Sequence, residues 1–311
     1  MIKLISIIVP VFNEEKAISA FYTKLDQVLA PIEAIGKYQF EIIFNDNHST
    51  DNSFPLLKEL ANNDSRVRIF RLSRNFGYQR SIYFGYIKCK GEAAIQLDID
   101  LQDPPELINS FLEEWENGFE FVYGIRKKRS EGLLINITRK IFYRFLSRFS
   151  DVPIPVDAGE FRLIDRKIIE VLKLISDHQP YLRGLIASIG FRQKGIDYHR
   201  AKRVLGESKF NIFGLATIAL DGITNYSIAP LRLMTVFGFF IFLFSIIAFL
   251  TYMISSFYHQ GEWPAGFTTL ALLILINLGV VSLFLGIIGE YLGRTFKQVK
   301  REPLANVQEE I

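Results

Sequence analysis

The sequence is poor in the residues that build covalent staples and metal cages. A single cysteine, Cys89, excludes a disulfide framework and points to a reducing compartment for the soluble part. Histidines number four, and His178 and His259 have no partner at zinc-ligand spacing, so a zinc site is not supported. Excess charge is lacking too: a formal net charge of +3 over 311 residues gives no electrostatic footprint for nucleic acid. The apolar run in residues 1–10 is too short for a signal peptide and has no small-residue cleavage site, so it reads as a first strand.

Charge is also missing locally. Residues 233–257 and 267–288 contain no Asp, Glu, Lys or Arg. Each run exceeds the roughly 20 residues needed to cross a hydrocarbon core, which predicts two transmembrane helices. The connection at residues 259–264 carries no Lys or Arg, whereas Arg232 precedes the first run and Arg294, Lys297, Lys300 and Arg301 follow the second. Positive charge marks the cytoplasmic side, so both termini and the N-terminal region are expected there, at the inner (plasma) membrane. The expected division is a soluble domain over residues 1–209, a juxtamembrane amphipathic helix over 210–230, a two-helix anchor over 231–293 and a tail over 294–311.

What the soluble part does contain is an alternation of strands and helices. Strands are predicted at residues 4–9, 40–44, 67–72, 93–97 and 120–124, with a helix after each of the first three. The first helix carries Ile18, Phe21, Leu25, Val28, Leu29 and Ile32 near a 3.6-residue period. This is the pattern of an α/β fold with a mainly parallel sheet, which binds ligands outside the carboxyl ends of its strands. The polar clusters fall there in phase: residues 10–14, Asp46, Arg74 with Asn75, and Asp98 with Asp100.

Residues 95–106, Ile-Gln-Leu-Asp-Ile-Asp-Leu-Gln-Asp-Pro-Pro-Glu, are the richest of these clusters. If the backbone stays extended, Asp98, Asp100 and Gln102 share one face. Oxygen ligands so spaced suit a hard cation, Mg²⁺ or Mn²⁺, with positions left for phosphate oxygens. The structural alternative is an acidic turn in which Asp103 caps a helix and Pro104 takes its first position.

Taken together, Val-Pro-Val-Phe-Asn-Glu at residues 9–14, Asn45-Asp46 through Asp51, Leu-Ser-Arg-Asn-Phe-Gly at 72–77 and the acidic stretch resemble family 2 glycosyltransferases. With residues 122–126, the segment Asp157-Ala158-Gly159-Glu160-Phe161-Arg162-Leu163 and two terminal apolar runs, the chain is similar to polyprenyl-phosphate glycosyltransferases, among them bactoprenol glucosyltransferases. The resemblance implies a glycosyltransferase A-type sheet and a nucleotide-sugar donor held by Pro10, Phe12, Glu14, Asp46, Arg74 and Asp98. It also implies a divalent cation on Asp98, Asp100 and Gln102, and a catalytic Asp157. Arg203, Ser208 and Lys209 would hold phosphates. Taken alone, Phe12 would be a core residue and Glu14 a first-turn helix acid. Two departures stand out: Asn47-His48 in place of a more usual Asp-Gly, and Tyr78 where relatives tend to carry His. Asn47 tolerates the positive φ that a Gly would take, and His48 reads as an exposed turn residue.

Arg126 is the arginine whose fork best suits a phosphate in this reading. Basic and aromatic residues interleave over 133–149, a candidate interfacial helix, as is 210–226. The expected activity is inverting transfer of a hexose, glucose by the resemblance, from a UDP-sugar to undecaprenyl or another polyprenyl phosphate at the cytoplasmic membrane face. Membrane lipids, a homo-oligomer as large as a tetramer, a flippase and a downstream glycosyltransferase are the expected partners. Two rivals are a processive polysaccharide synthase, disfavoured because Arg183 is followed by Gly184 and not Trp, and an inactive nucleotide-sugar-binding scaffold for a flippase.

Overall fold

The computed structural model describes residues 2–127, 158–175, 180–199, 229–258, 267–300 and 303–311. β1 (Lys3–Val11), β2 (Tyr38–Asp46), β3 (Val67–Leu72) and β4 (Ala93–Gln96) alternate with α1 (Ile18–Ala34), α2 (Ser53–Asn63) and α3 (Tyr78–Lys88). Then come α4 (Leu107–Glu116), β5 (Phe121–Lys127), β6 (Ala158–Asp165), α5 (Arg166–Leu174), α6 (Leu182–Ser188), β7 (Gln193–His199), the long helices α7 (Ala229–Tyr258) and α8 (Phe267–Val299), and β8 (Val307–Glu310). All eight strands form one sheet in the order β7-β5-β6-β4-β1-β2-β3-β8. Only β6 and β8 run against the others, so the mainly parallel expectation holds.

Both faces of the central strands are apolar because both are covered. Ile5, Ile7, Val9, Ile42, Phe44 and Ile95 face α1, α2 and α4, and the periodic residues Ile18, Phe21, Leu25, Leu29 and Ile32 meet them. Ile8, Ile43, Phe70, Ala94 and Ile164 face α3, α5 and α6. The helices thus brace the strands from both sides and leave the carboxyl ends as the polar rim. Because β6 is antiparallel, its first residues, Ala158 to Glu160, lie at that rim.

Two expectations about the C-terminal part change. Among the described residues, no helix is long and apolar enough to cross a membrane. The uncharged runs read from the sequence fall within α7 and α8, and the side chains of several of their residues are outside the described set, so the two spans are not established by the fold. The tail over 294–311 is also more than a tail. Its last residues pair antiparallel with β3, Phe70 against Glu310 and Leu72 against Val307, while Leu304 and Ala305 join the second core layer. Lys58 meets Glu309 at 2.5 Å and Arg68 meets Glu310 at 3.0 Å. A short strand whose cross-strand contacts come from a segment some 240 residues away gives no local signal. Asp157, Arg203, Ser208, Lys209 and both candidate interfacial helices, 133–149 and 210–226, lie outside the described residues.

Candidate active site

The loops after β1 and β2 are stitched into one wall. The Asn13 backbone N–H donates to Ser49 Oγ at 3.0 Å, and Asn13 Oδ1 accepts from the Thr50 N–H at 2.8 Å. The Glu14 N–H donates to Ser53 Oγ at 2.8 Å, and the Glu15 N–H to Asp51 Oδ2 at 3.2 Å. Asn13 and His48 take positive φ, 54° and 63°. The left-handed residue of the second loop is therefore His48 and not Asn47. His48 is only partly exposed, with Nδ1 at 3.1 Å from the Leu72 carbonyl oxygen. Asn47 is buried and clamps the third loop, donating to Asn75 Oδ1 at 2.9 Å and accepting from the Phe76 N–H at 2.9 Å. The departure from Asp-Gly is thus accommodated by an asparagine that works as a hub.

Pro10 closes β1 opposite Asn45, next to the Val11–Asp46 pair. Asp46 is fully buried: one carboxylate oxygen accepts from the Ser49 N–H at 3.0 Å, and the other lies 3.6 Å from Arg71 Nε. Phe12 and Glu14 sit half-buried on the same wall. Arg74 is exposed and lies over the Phe76 ring, 4.0 Å from its centroid.

Beyond β4 the structure corrects the extended-strand reading. The strand ends at Gln96, and residues 97–103 turn, with Leu101 at φ 55° and the Gln102 N–H donating to Asp100 Oδ1 at 3.1 Å. Asp98, Asp100 and Gln102 are all partly exposed on this turn, whereas Asp103 is fully buried. Asp98 Oδ1 accepts from Tyr78 Oη at 2.5 Å and from Gln96 Nε2 at 2.9 Å. Burial pushes the Asp98 carboxyl up to about 6; the Tyr78 hydrogen bond opposes this, and the Asp103 and Asp100 charges add to it. Tyr78 is held well above the ordinary tyrosine value, first by burial of its hydroxyl and then by the Asp98 charge. The residue as a whole is 39% exposed, but its hydroxyl is turned toward Asp98 and Gln96.

Asp103 does not cap a helix, since α4 begins at Leu107 without a side-chain cap. It accepts instead from Tyr198 Oη at 2.5 Å and from Arg126 Nη2 at 3.2 Å, and Arg126 Nε donates to the Tyr198 oxygen at 3.1 Å. Arg126 is therefore committed to the acidic turn. A second charged group was passed over by sequence reasoning: Arg162, 1% exposed, pairs with Glu160, which also binds Arg183 at 3.2 Å. Arg162 lies across from Gln96 in the sheet. Burial lowers its guanidinium below the ordinary value. The available signal was an arginine at an inward position of a strand otherwise filled by Phe161, Leu163 and Ile164.

Two carboxylates and an amide on this turn are oxygen donors of the type a hard cation takes. Among the described residues no three His, Cys, Asp or Glu side chains converge as a closed cage.

Residues 6–173 match the model of glycosyl transferase family 2. The chain is 34% identical over 302 residues to the prophage bactoprenol glucosyl transferase homolog of Escherichia coli, covering 96% of each chain. It is 35% identical to the bactoprenol glucosyl transferase of Shigella phage SfII, again over 96% of each chain. An uncharacterized glycosyltransferase of Bacillus subtilis, YkcC, is 37% identical over 97% of this chain and 93% of its own. Among solved structures, a mannosyltransferase from Pyrobaculum calidifontis, in complex with GDP-Man and Mn²⁺, matches 97% of this chain and 87% of its own at 14% identity and a TM-score of 0.50, a likeness of fold. With strand ends, acidic turn and end-to-end similarity in agreement, the chain belongs to glycosyl transferase family 2, with a glycosyltransferase A-like sheet.

Proposed function

We propose that the enzyme transfers a hexose, glucose, from a UDP-sugar to a polyprenyl phosphate such as undecaprenyl phosphate, with inversion. The observation that carries this is identity of 34–35% over 96% of both chains with proteins named for bactoprenol glucosyl transfer, well past the residues 6–173 of the family match. Asp98, Asp100 and Gln102 would hold Mg²⁺ or Mn²⁺, whose charge would offset that developing on the departing nucleotide. The chain's own part is to bind and orient. The loop wall from Pro10 to Glu14, with Asp46 and Arg74, takes the donor. A lipid monophosphate has its second pKa near 6, so its oxygen reaches the anomeric carbon already deprotonated. Asp157 then orients the acceptor or a sugar hydroxyl, and Arg203, Ser208 and Lys209 hold the lipid phosphate.

The acceptor is a membrane lipid, and the two uncharged runs are read as spans with the catalytic domain and both termini cytoplasmic. Helices of 30 and 33 residues are about 45 and 50 Å long, against the roughly 30 Å of a hydrocarbon core; this reading rests on length and on the uncharged runs of the sequence. Pairing of β8 with β3 supports an even number of crossings, since it requires the end of the chain on the catalytic side.

The test is purified protein with radiolabelled UDP-sugars, polyprenyl phosphate and Mg²⁺ or Mn²⁺. Label in the organic phase is the expected result. Label in a polymer would make the enzyme a processive synthase, and donor binding without transfer would make it a scaffold.

A further inference from the structure

The turn that presents Asp100 and Gln102 holds Leu101 at φ 55°, a conformation a leucine keeps only where its surroundings fix it. Two residues on, Asp103 is fully buried and gripped by Tyr198 and Arg126. Tyr198 reaches it through a slot made by glycines of two neighbouring strands. A Cβ at Gly124 would stand 2.6 Å from the Tyr198 ring; one at Gly159 would stand 3.2 Å from its hydroxyl and 3.3 Å from Arg126 Nε. Phe161 meets the same ring edge-on, with centroids 6.4 Å apart. Glycine inside a strand weakens it and marks a close approach, and here both glycines admit one tyrosine. Tyr198 is also the last but one residue of β7, where the chain leaves the sheet toward the basic residues 199–209.

We infer that Tyr198 is a positioning residue: its hydroxyl, delivered through the Gly124–Gly159 slot, locks Asp103 and so sets the turn that offers Asp100 and Gln102 to a divalent cation. This rests on the cation reading proposed above.

Tyr198→Phe keeps the ring in its slot and removes only the hydroxyl. Mn²⁺ is titrated into the full-length protein in the presence of UDP, and free Mn²⁺ is read from its paramagnetic resonance signal. The variant should bind Mn²⁺ about tenfold more weakly, with the apparent activation constant raised in step and kcat restored to within about twofold at saturating Mn²⁺. Asp103→Asn, which keeps an acceptor oxygen but removes the charge facing Arg126, should shift Mn²⁺ binding in the same direction and carries the test if Tyr198→Phe does not fold. Unchanged Mn²⁺ binding in the variants, with or without a lower melting temperature, would make Tyr198 a packing residue and overturn the inference. A wild-type protein that binds no Mn²⁺ with UDP overturns the cation reading itself, and the role of Tyr198 with it.

Discussion

The two ends of the one sheet carry charge in opposite ways. At the amino end Arg66 donates to Asp26 at 2.6 Å, Glu33 at 2.7 Å and Asp64 at 2.8 Å, and Tyr22 adds a bond of 2.5 Å to Asp64. Lys3 and Tyr38 both bind Glu116 at 2.9 Å. A hollow of about 360 Å³ opens there beside Glu33, Arg66 and Arg68, but those charges answer one another. At the carboxyl end, Asn45 Oδ1, Gln96 Oε1 and Arg162 Nη1 are buried without a hydrogen-bond partner among the described residues, and Asp46 Oδ2 and Arg71 Nε face each other only at 3.6 Å. The positive-φ residues Asn13, His48 and Leu101 gather at the same end. Unpaired buried polar atoms and strained backbone both cost stability, of order 1–3 kcal/mol each. Their concentration at one end marks that end as built for a ligand, and the paired end as built to hold the sheet together.

The largest expected effect breaks the carboxyl end at its acidic turn. Asp100→Ala should lower transfer at least about a thousandfold while leaving the melting temperature within a few degrees, because Asp100 is partly exposed and accepts a local hydrogen bond from the Gln102 N–H. Transfer at the wild-type rate would remove the turn from the mechanism. Next comes Asp46→Asn. The buried carboxylate orders the second loop through Ser49 and faces Arg71, so its loss should raise the donor KM about tenfold and change kcat much less. A fall in kcat at unchanged KM would contradict a donor-wall role.

Much of this division was legible in the sequence, for physical reasons that also explain the failures. β1 to β4 and α1 are periodic, and their apolar residues are the ones buried. The rim followed from strand direction alone. The acidic turn was located but misdrawn: alternation assumes an extended chain, and Leu101 breaks it with a φ that no local rule assigns to leucine. The alternative that made Asp103 a helix cap rested on Pro104 following it, whereas its partners, Arg126 and Tyr198, lie 23 and 95 residues away. β8 was missed for the same reason. Gly124 and Gly159 were visible throughout, but a glycine announces a close approach without naming what approaches.

A smaller effect should appear at the amino end. Arg66→Ala should cost about 1–2 kcal/mol of stability, several degrees of melting temperature, with kcat/KM unchanged. Burial works to raise the Asp64 carboxyl, but hydrogen bonds from Arg66 and Tyr22 outweigh it and hold the group below the ordinary value. A depressed folded value means the contribution is complete above about pH 4 and is lost as pH falls through that folded value. Wild type should therefore lose more stability than Arg66→Ala on acidification below pH 4, a difference visible in melts at pH 3 and pH 7.

The smallest effect has the opposite sign. Asp98 titrates near 6 in the folded chain because burial disfavours its charge, so between about pH 4 and pH 6 the folded state holds a proton that the unfolded state has released. Stability then falls as pH rises through that window and stays lower above it. Asp98→Asn keeps an acceptor for Tyr78 and Gln96 and has no charge to bury. In metal-free protein at pH 7 the variant should be more stable than wild type by about 1 kcal/mol, and at pH 4 the two should melt together. A variant less stable at pH 7 would place Asp98 with the amino-end carboxylates, whose charge the fold uses, and would erase the contrast between the two ends. A gain at pH 7 that vanishes at pH 4 would mean that the fold tolerates this carboxylate at a cost, as expected for a group whose charge serves a bound cation.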